Sequence, residues 1–434
     1  MRFWAHDVAA ATGGTLTGPD VAIDGTGFDS RTLQTGQLFV PLIDQRDGHD
    51  FIKAALDGGA AAYLTSRPVA DAAPGTAVHV DDTLQALMRL ATHLRSRSSA
   101  TVIGVTGSVG KTSTKDFALA ALSAGKRTWA NERSFNNDQG LPTTIVNAPD
   151  DAEVMVLEMG MRGFGEIARL CTIAKPQIGV VTRVAEAHGD RVGGIEGVSR
   201  AKAELIQALP QDGVAILNGD DPRVRAMATE CAGSVVLFGE DPYCHVRAVE
   251  VTLDQLACAS FTAVTPWGEV PVRLAVSGRH MVHNAAAALA CVGVVGGDLA
   301  AGADALSAVR LTAMRMQVVR STGGALVLND SYNANPTSMR AALDALADLP
   351  ARRRMAVLGV MAEIADAESE HQSIRSYAAA RGITIVAVGT PLYGVAATDD
   401  PVGALGQLGD GDAVLVKGSR VVGLEKVADA LAAR

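Results

Sequence analysis

Aromatic side chains are scarce in this 434-residue sequence, at 4%. A core made without them must come from small aliphatic side chains. The 45 glycines leave many positions for turns and for close backbone approach to ligands. Cysteine is sparser still: Cys171, Cys231, Cys244, Cys258 and Cys291 are an odd set with no CxxC spacing. That excludes a disulfide framework and a cysteine zinc site, and it fits small buried hydrophobes in a reducing cytoplasm. Positive charge is in deficit, 38 Lys and Arg against 47 Asp and Glu, for a net charge of −9. A duplex nucleic-acid binder normally shows the opposite balance, whereas a small anionic substrate in a locally basic pocket remains compatible. Long apolar runs are missing too; none reaches the roughly 18 residues that span a bilayer. The start, MRFWAHDVAAATGG, has an acid and a His where a signal peptide carries its apolar stretch, so no export is expected. What is abundant is ordinary globular composition, 48% hydrophobic and 20% charged, which excludes a wholly disordered chain. At about 100–200 residues per domain, two to four domains are expected.

Hydrophobic patterning divides the chain into three blocks. The first, to about 98, holds short strands at 37–42, 61–64 and 77–80 and helices at 51–58 and 83–97. The Ser-rich basic stretch LRSRSSA (94–100) reads as a linker. The second places apolar strands at 101–105, 154–158, 178–182, 214–217 and 235–238 with helical patterns between them, the signature of a parallel sheet buried on both faces. An alternating stretch at 246–276 reads as antiparallel, and an Ala-rich helix starts near 282. The third block begins near 311, with strands at 325–328, 354–358, 384–388 and 413–416 and helices between them. The expectation is an α/β protein of three domains, 1–98, 99–310 and 311–434: a small α/β domain, a P-loop-type parallel-sheet domain and a Rossmann-like α/β domain.

The strongest local signal is TVIGVTGSVGKTSTKDFALAAL, an apolar strand entering a Gly-rich turn, then Lys111 and Thr112, then a helix. Backbone N–H groups of such a loop cradle phosphates at a helix N-terminus. The Lys neutralises phosphate charge and the Thr hydroxyl suits Mg²⁺. The general GxxxxGK[ST] pattern would put Gly at 105, where this chain has Val105. Glu158 closes an apolar strand, and a carboxylate at that end of a parallel strand faces the ligand crevice and suits a hard cation. Asp330 ends another apolar strand and can accept ribose hydroxyl hydrogen bonds. Taken singly, Lys202 reads as a solvated helix position, His188 as a loop histidine, and Asn137 and Asn335 as turn or helix-start residues.

Thr106-Gly107-Ser108-Val109-Gly110-Lys111-Thr112 resembles the nucleotide loop of the Mur ligases, ATP-dependent amide ligases that build the peptidoglycan stem peptide. Further segments agree in order and approximate spacing: NERSFNNDQGLP (131–142), LEMGMRGFGEIA (157–168), AH (187–188), RAKAEL (200–205), LNGDDP (217–222), GRHMVHNAAAALA (278–290), MRMQ (314–317), NDSYNANPTSM (329–339) and KGSR (417–420). Within the family, DSYNANP and KGSR, with DSR (29–31) and DGHDF (47–51), are similar to the members that join D-Ala-D-Ala to a UDP-N-acetylmuramoyl-tripeptide.

The resemblance implies catalytic roles for Lys111, Lys202, His188 and Arg315. It implies ATP contacts along 106–112 and from Asn284 (adenine), Arg315 (phosphate), Asp330 (ribose) and Tyr332. Two Mg²⁺ sites are implied, with Thr112 and Glu158 at the nucleotide metal and a carbamylated Lys202 with His188 at the second. Substrate contacts are implied for Asn137, Asn333, Asn335, Lys417, Ser419 and Arg420, and for Ser30, Arg31, Asp47 and His49 at the uridine diphosphate end. The implied partners are the UDP-linked tripeptide and D-Ala-D-Ala, with no nucleic acid, no membrane span and a monomeric chain in the cytoplasm.

Three departures stand out. His280-Met281 replaces a usual His-Asn pair, the loop 188–191 reads HGDR, and Val360 stands where the family has Asp. Glu363 and His371 are the nearby polar residues expected to cover part of that lost carboxylate's role. The alternatives are a related ligase with another amine or acid, such as a natural-product amide synthetase, and an inactive relative that binds nucleotide.

Overall fold

The structure, a computed structural model, describes residues 2–68, 73–132, 134–185, 192–362 and 364–434. The chain divides into two compact units. One comprises Met1–Gly104, Arg127–Met161 and Gly165–Ile178; the other comprises Val105–Lys126, Arg162–Phe164 and Gly179–Arg434.

The first unit contains a five-stranded sheet in the order Thr15–Thr17, Ala77–His79, Ala62–Thr65, Leu38–Phe39, Thr26–Gly27. All its pairings are parallel except the one made by Thr15–Thr17. Phe39, Ile52, Ala55, Tyr63 and Ala77 pack as its core. The helix Thr83–Arg97 starts where the Asp82 carboxylate accepts the backbone N–H groups of Leu84 and Gln85. The expected linker at 94–100 is not one. The helix runs on to Arg97, Leu94 and Arg95 are buried, and Arg95 donates to the carbonyls of Ala174 and Ser98. Its basic, Ser-rich composition concealed a guanidinium used for internal carbonyl capping. The same unit holds the parallel pair Thr128–Ala130 and Val154–Glu158 and the helices Gly140–Val146 and Glu166–Ala174.

The second unit carries two sheets. In the first, strands follow the order Gly268–Ser277, Cys258–Thr265, Val246–Leu253, Ser234–Gly239, Val214–Asn218, Ile178–Val181. Val246–Leu253 and the two strands beyond it pair antiparallel, as the alternating pattern predicts, and Val214–Asn218 pairs parallel with Ser234–Gly239. The helices Lys111–Ser123 and Met281–Val294 pack together there; the Ala-rich face of the latter permits close approach. The second sheet has the order Gln317–Arg320, Leu326–Asn329, Asp412–Lys417, Arg353–Leu358, Ile383–Ala387, with only the first pairing antiparallel. Asp412–Lys417 is buried along its whole length, as a central parallel strand covered on both faces requires.

Candidate functional site

Val105 lies fully buried inside the strand Thr101–Thr106, so the position that breaks the general loop pattern belongs to the strand interior. The turn begins at Gly107, whose φ is +151°, and a Cβ there would meet Thr182 Oγ1 at 1.9 Å. Gly110, at φ +85°, precedes the helix Lys111–Ser123, and a Cβ on it would meet Asn284 Oδ1 at 2.7 Å. Both positions therefore require glycine. One side chain from outside the motif and one within it hold the loop. Thr182 Oγ1 donates to Val109 O at 2.6 Å, and Ser108 Oγ donates to Ala185 O at 2.8 Å. Ser108 N donates to Arg183 O at 2.7 Å, and the backbone N–H of Thr182 bonds Thr106 O. Lys111 Nζ donates to Gly107 O at 2.7 Å, which folds the ammonium back over the loop. Thr182 escaped the sequence reading; its only signal is a hydroxyl just past the end of the apolar strand Ile178–Val181.

Asn284 was expected at adenine. Its Oδ1 accepts from Thr114 Oγ1 at 3.2 Å, and its amide reaches Met281 Sδ at 3.4 Å, so it braces the base of the loop helix. Met281, the residue replacing the usual Asn, is thus its neighbour. Lys202 sits on the helix Gly194–Gln207 and is only 4% exposed, not a solvated helix position. Among the described residues no carboxylate pairs with it. Burial, and then the positive charge of Lys111, lower its pKa well below the ordinary lysine value. Arg315 Nη2 donates to Thr112 Oγ1 at 3.1 Å, and the guanidinium lies 4.1 Å over the Tyr332 ring. Its Nε is buried without an acceptor among the described residues.

Asp330 is occupied by the protein itself. Oδ1 accepts the backbone N–H of Met316 at 3.2 Å, and Oδ2 pairs with Lys417 Nζ at 2.5 Å. Lys417 also donates to Asn333 O at 2.9 Å. Lys417 ends the strand Asp412–Lys417 rather than following it in a loop, and it is 2% exposed. Burial lowers its pKa while Asp330 opposes the shift. Asn333 Oδ1 accepts from Ala334 N, and Asn335 caps the helix Pro336–Asp348 through Ser338 in a reciprocal capping box. Ser419 is buried with its Oγ accepting from Ala362 N, whereas Arg420 is exposed and lies near Met314 and Glu425.

In the first unit, Glu158 is 1% exposed at the end of its strand. Asn136 Nδ2 donates to its Oε1 at 2.7 Å, and Oε2 is buried without a hydrogen-bond partner among the described residues. A buried carboxylate oxygen with no donor fits a cation. Asn131 holds the strand end, its Oδ1 accepting from Glu158 N at 2.6 Å. The side chain favoured from sequence, Asn137, instead accepts from Gly140 N at 2.9 Å and starts the helix Gly140–Val146. Its neighbour Asn136 reaches the carboxylate. Sequence order could not separate two adjacent asparagines.

The turns at 29–31 and 47–51 satisfy much of their own polarity. Arg31 makes a two-pronged pair with Asp29 at 2.9 and 2.7 Å and remains exposed, with Ser30 half-buried beside it. Asp47 is gripped by Arg67 at 2.8 Å and by His49, and the Arg67 guanidinium, ahead of His49, holds its carboxyl well below the usual range. His49 is buried. Its Nε2 accepts from Ser66 N at 3.0 Å, which places the ring proton on Nδ1 towards Asp47.

His371 does not cover the lost carboxylate at Val360. It is fully buried, its Nε2 accepts from Met361 N at 3.0 Å, and its Nδ1 bonds Ala367 O. Burial lowers its pKa. It braces the loop and leaves no ring nitrogen for a substrate. His188, the loop 188–191 and Glu363 lie outside the described residues. Among the described residues no group of three or more His, Cys, Asp or Glu could hold a metal, and no helix is long and apolar enough to cross a membrane.

Residues 105–292 match the Mur ligase middle domain, and residues 314–420 match the Mur ligase glutamate ligase domain. The chain is 39% identical to the UDP-N-acetylmuramoyl-tripeptide–D-alanyl-D-alanine ligase of Mycobacterium tuberculosis H37Rv, over 94% of this chain and 91% of the relative. Among solved structures it is similar to MurF from Acinetobacter baumannii, with a TM-score of 0.88 and 28% identity over 100% of this chain and 99% of the other. It is also similar to the MurF ligase of Thermotoga maritima in complex with ADP, with a TM-score of 0.82 and 26% identity over 94% and 97%.

Proposed function

The chain belongs to the Mur ligase family, and on that premise we propose that it joins D-Ala-D-Ala to a UDP-N-acetylmuramoyl-tripeptide at the expense of ATP, in peptidoglycan precursor synthesis. The observation that carries the reading is the loop 106–112. Two glycines that tolerate no side chain, a hydroxyl-stitched backbone and Lys111 at a helix start together form an anion cradle. The relatives' printed activity supports D-Ala-D-Ala as the amine, ahead of another amine or an inactive nucleotide binder.

In this reading the terminal phosphoryl group of ATP passes to the tripeptide's terminal carboxylate, and ADP leaves. The D-Ala-D-Ala amine then attacks the acyl carbon. An amide bond forms, the carbon–oxygen bond to phosphate breaks, phosphate leaves with the bonding pair, and the nitrogen loses a proton. Lys111 and Arg315 spread positive charge over the transferring group. Thr112 and Glu158 would serve the nucleotide's Mg²⁺, and Lys202 with His188 a second one; Glu158, with its buried oxygen lacking a donor, fits the first role. Bound there, Mg²⁺ supplies neutralisation of phosphate charge. Lys202 becomes an oxygen ligand by carbamylation, its neutral amine taking up CO₂ and releasing a proton. The lowered pKa of this buried amine favours that step. We assign 1–98 to the UDP substrate, 99–310 to ATP and 311–434 to the ligase domain; the two family matches fall inside the latter pair. A monomer in the cytoplasm completes the proposal.

The test is Lys111→Ala in a phosphate-release assay with ATP, tripeptide and D-Ala-D-Ala. A fall of about 10²–10³ in kcat is expected, in line with removal of one charge-stabilising donor. Ligation at the wild-type rate would overturn the assignment.

A further inference from the structure

Asp116 lies four residues after Thr112 on the helix Lys111–Ser123, one turn along the same face. Its carboxylate is buried. Oδ1 pairs with Lys115 Nζ at 2.8 Å, and Oδ2 accepts the backbone N–H of Thr312 at 2.7 Å. Three residues further on, Arg315 donates to Thr112 Oγ1. The segment 312–315 therefore runs back along one helical turn, tied at Asp116 and reaching Thr112 through the guanidinium. Just after Arg315, Met316 N donates to Asp330 Oδ1, and just before it Met314 O accepts from Tyr332 N at 3.3 Å. Two carboxylates thus each take a backbone N–H, one before Arg315 and one after it.

The backbone between these ties is strained. Met314 and Met316 have φ of +63° and +45°, in the left-handed region that residues with a side chain rarely adopt. Such conformations persist where the surroundings over-determine them, and here the two carboxylates do so. What the arrangement fixes is the direction of Arg315. That side chain is stacked on Tyr332 and keeps a buried N–H without an acceptor among the described residues.

We propose that Asp116 is a positioning residue for phosphoryl transfer: by holding the N–H of Thr312 it aims Arg315 at the nucleotide's terminal phosphate. The proposal rests on the ligase reading above. Asp116 touches no reacting atom and acts through Arg315 alone.

The test is a double-variant cycle on the full chain, with ATP, UDP-linked tripeptide and D-Ala-D-Ala and phosphate release as readout. Asp116→Ala is expected to lower kcat about 10–100-fold while KM for D-Ala-D-Ala stays within about twofold. Asp116→Asn, which keeps an acceptor oxygen for Thr312, is expected to recover to within about threefold of wild type. Asp116→Ala combined with Arg315→Ala is expected to be no slower than Arg315→Ala alone. A wild-type kcat for Asp116→Ala, or losses that multiply in the double variant, would overturn the proposal. If Asp116→Ala does not fold, Thr312→Pro removes the donated N–H with Asp116 left in place and enters the same cycle under the same criteria, with Thr312→Ala as the control for the lost side chain. Absence of ligation by the wild-type chain would count against the ligase reading; ligation with a flat cycle counts against Asp116.

Discussion

Lys202 and Lys417 are two deeply buried lysines that the protein treats in opposite ways. Burial lowers the pKa of both. Lys417 has Asp330 against its ammonium at 2.5 Å and two carbonyl acceptors around it, so its proton is held by geometry. Lys202 has no such carboxylate among the described residues, and the nearby charge that shifts it further is the cation Lys111. Desolvation without a counter-ion favours the neutral amine, and a neutral amine is a nucleophile. A counter-ion makes a buried lysine structural; withholding one leaves it available for chemistry.

Substitution should separate the two sites sharply. Lys202→Ala is expected to lower ligation by about 10²–10³ with little loss of stability, because it removes an unpaired buried amine. Activity of the wild-type chain should fall in CO₂-free buffer and return on adding bicarbonate, a response that Lys202→Ala lacks. Both are read by phosphate release. Ligation by Lys202→Ala at the wild-type rate would erase the distinction between the two lysines.

The converse loss belongs to the other pair. Asp330→Ala leaves the buried Lys417 ammonium without its counter-ion and also frees Met316 N, and it is expected to cost about 3–5 kcal/mol of stability. Urea denaturation followed by circular dichroism measures it, at unchanged dependence on denaturant. A loss below about 1 kcal/mol, the size of an exposed ion pair, would mean that Lys417 is no more anchored than Lys202.

This contrast was hidden from sequence, where each lysine was one motif letter. The strands were legible because continuous apolar runs such as Val154–Glu158 and Asp412–Lys417 are what double-sided burial demands. The phosphate loop was legible because its residues are contiguous. Contacts between distant segments were not. Nothing near Asp330 announces Lys417, and nothing near Gly107 announces Thr182. Local backbone needs claim several polar side chains: Asn137 and Asn335 serve helix starts, as their turn-like surroundings indicate, whereas nothing around His371 shows that both its ring nitrogens serve backbone groups. The shortest strands, such as Thr26–Gly27, carry too few residues for any period to register.

The smallest expected effect is the most specific to the comparison. The folded-state pKa of Lys202 lies below its unfolded value. At pH below both values each state carries the proton, and the full cost of burying the charge is present. As pH rises past the folded value, the unfolded chain holds more protons than the folded one, so stability climbs until the unfolded value, about 10.4, is reached. Lys202→Met removes the titrating group while keeping an apolar stem of similar length. In CO₂-free buffer it should melt a few degrees higher than wild type near the low end of that window. The gap should shrink as pH rises through that window towards the unfolded value, measured by calorimetry. Lys417→Met, in contrast, leaves Asp330 without its partner and should melt lower throughout. Parallel melting curves for wild type and Lys202→Met across that range would mean that the amine is not held neutral by the fold, and the argument for its reactivity would lose its physical basis.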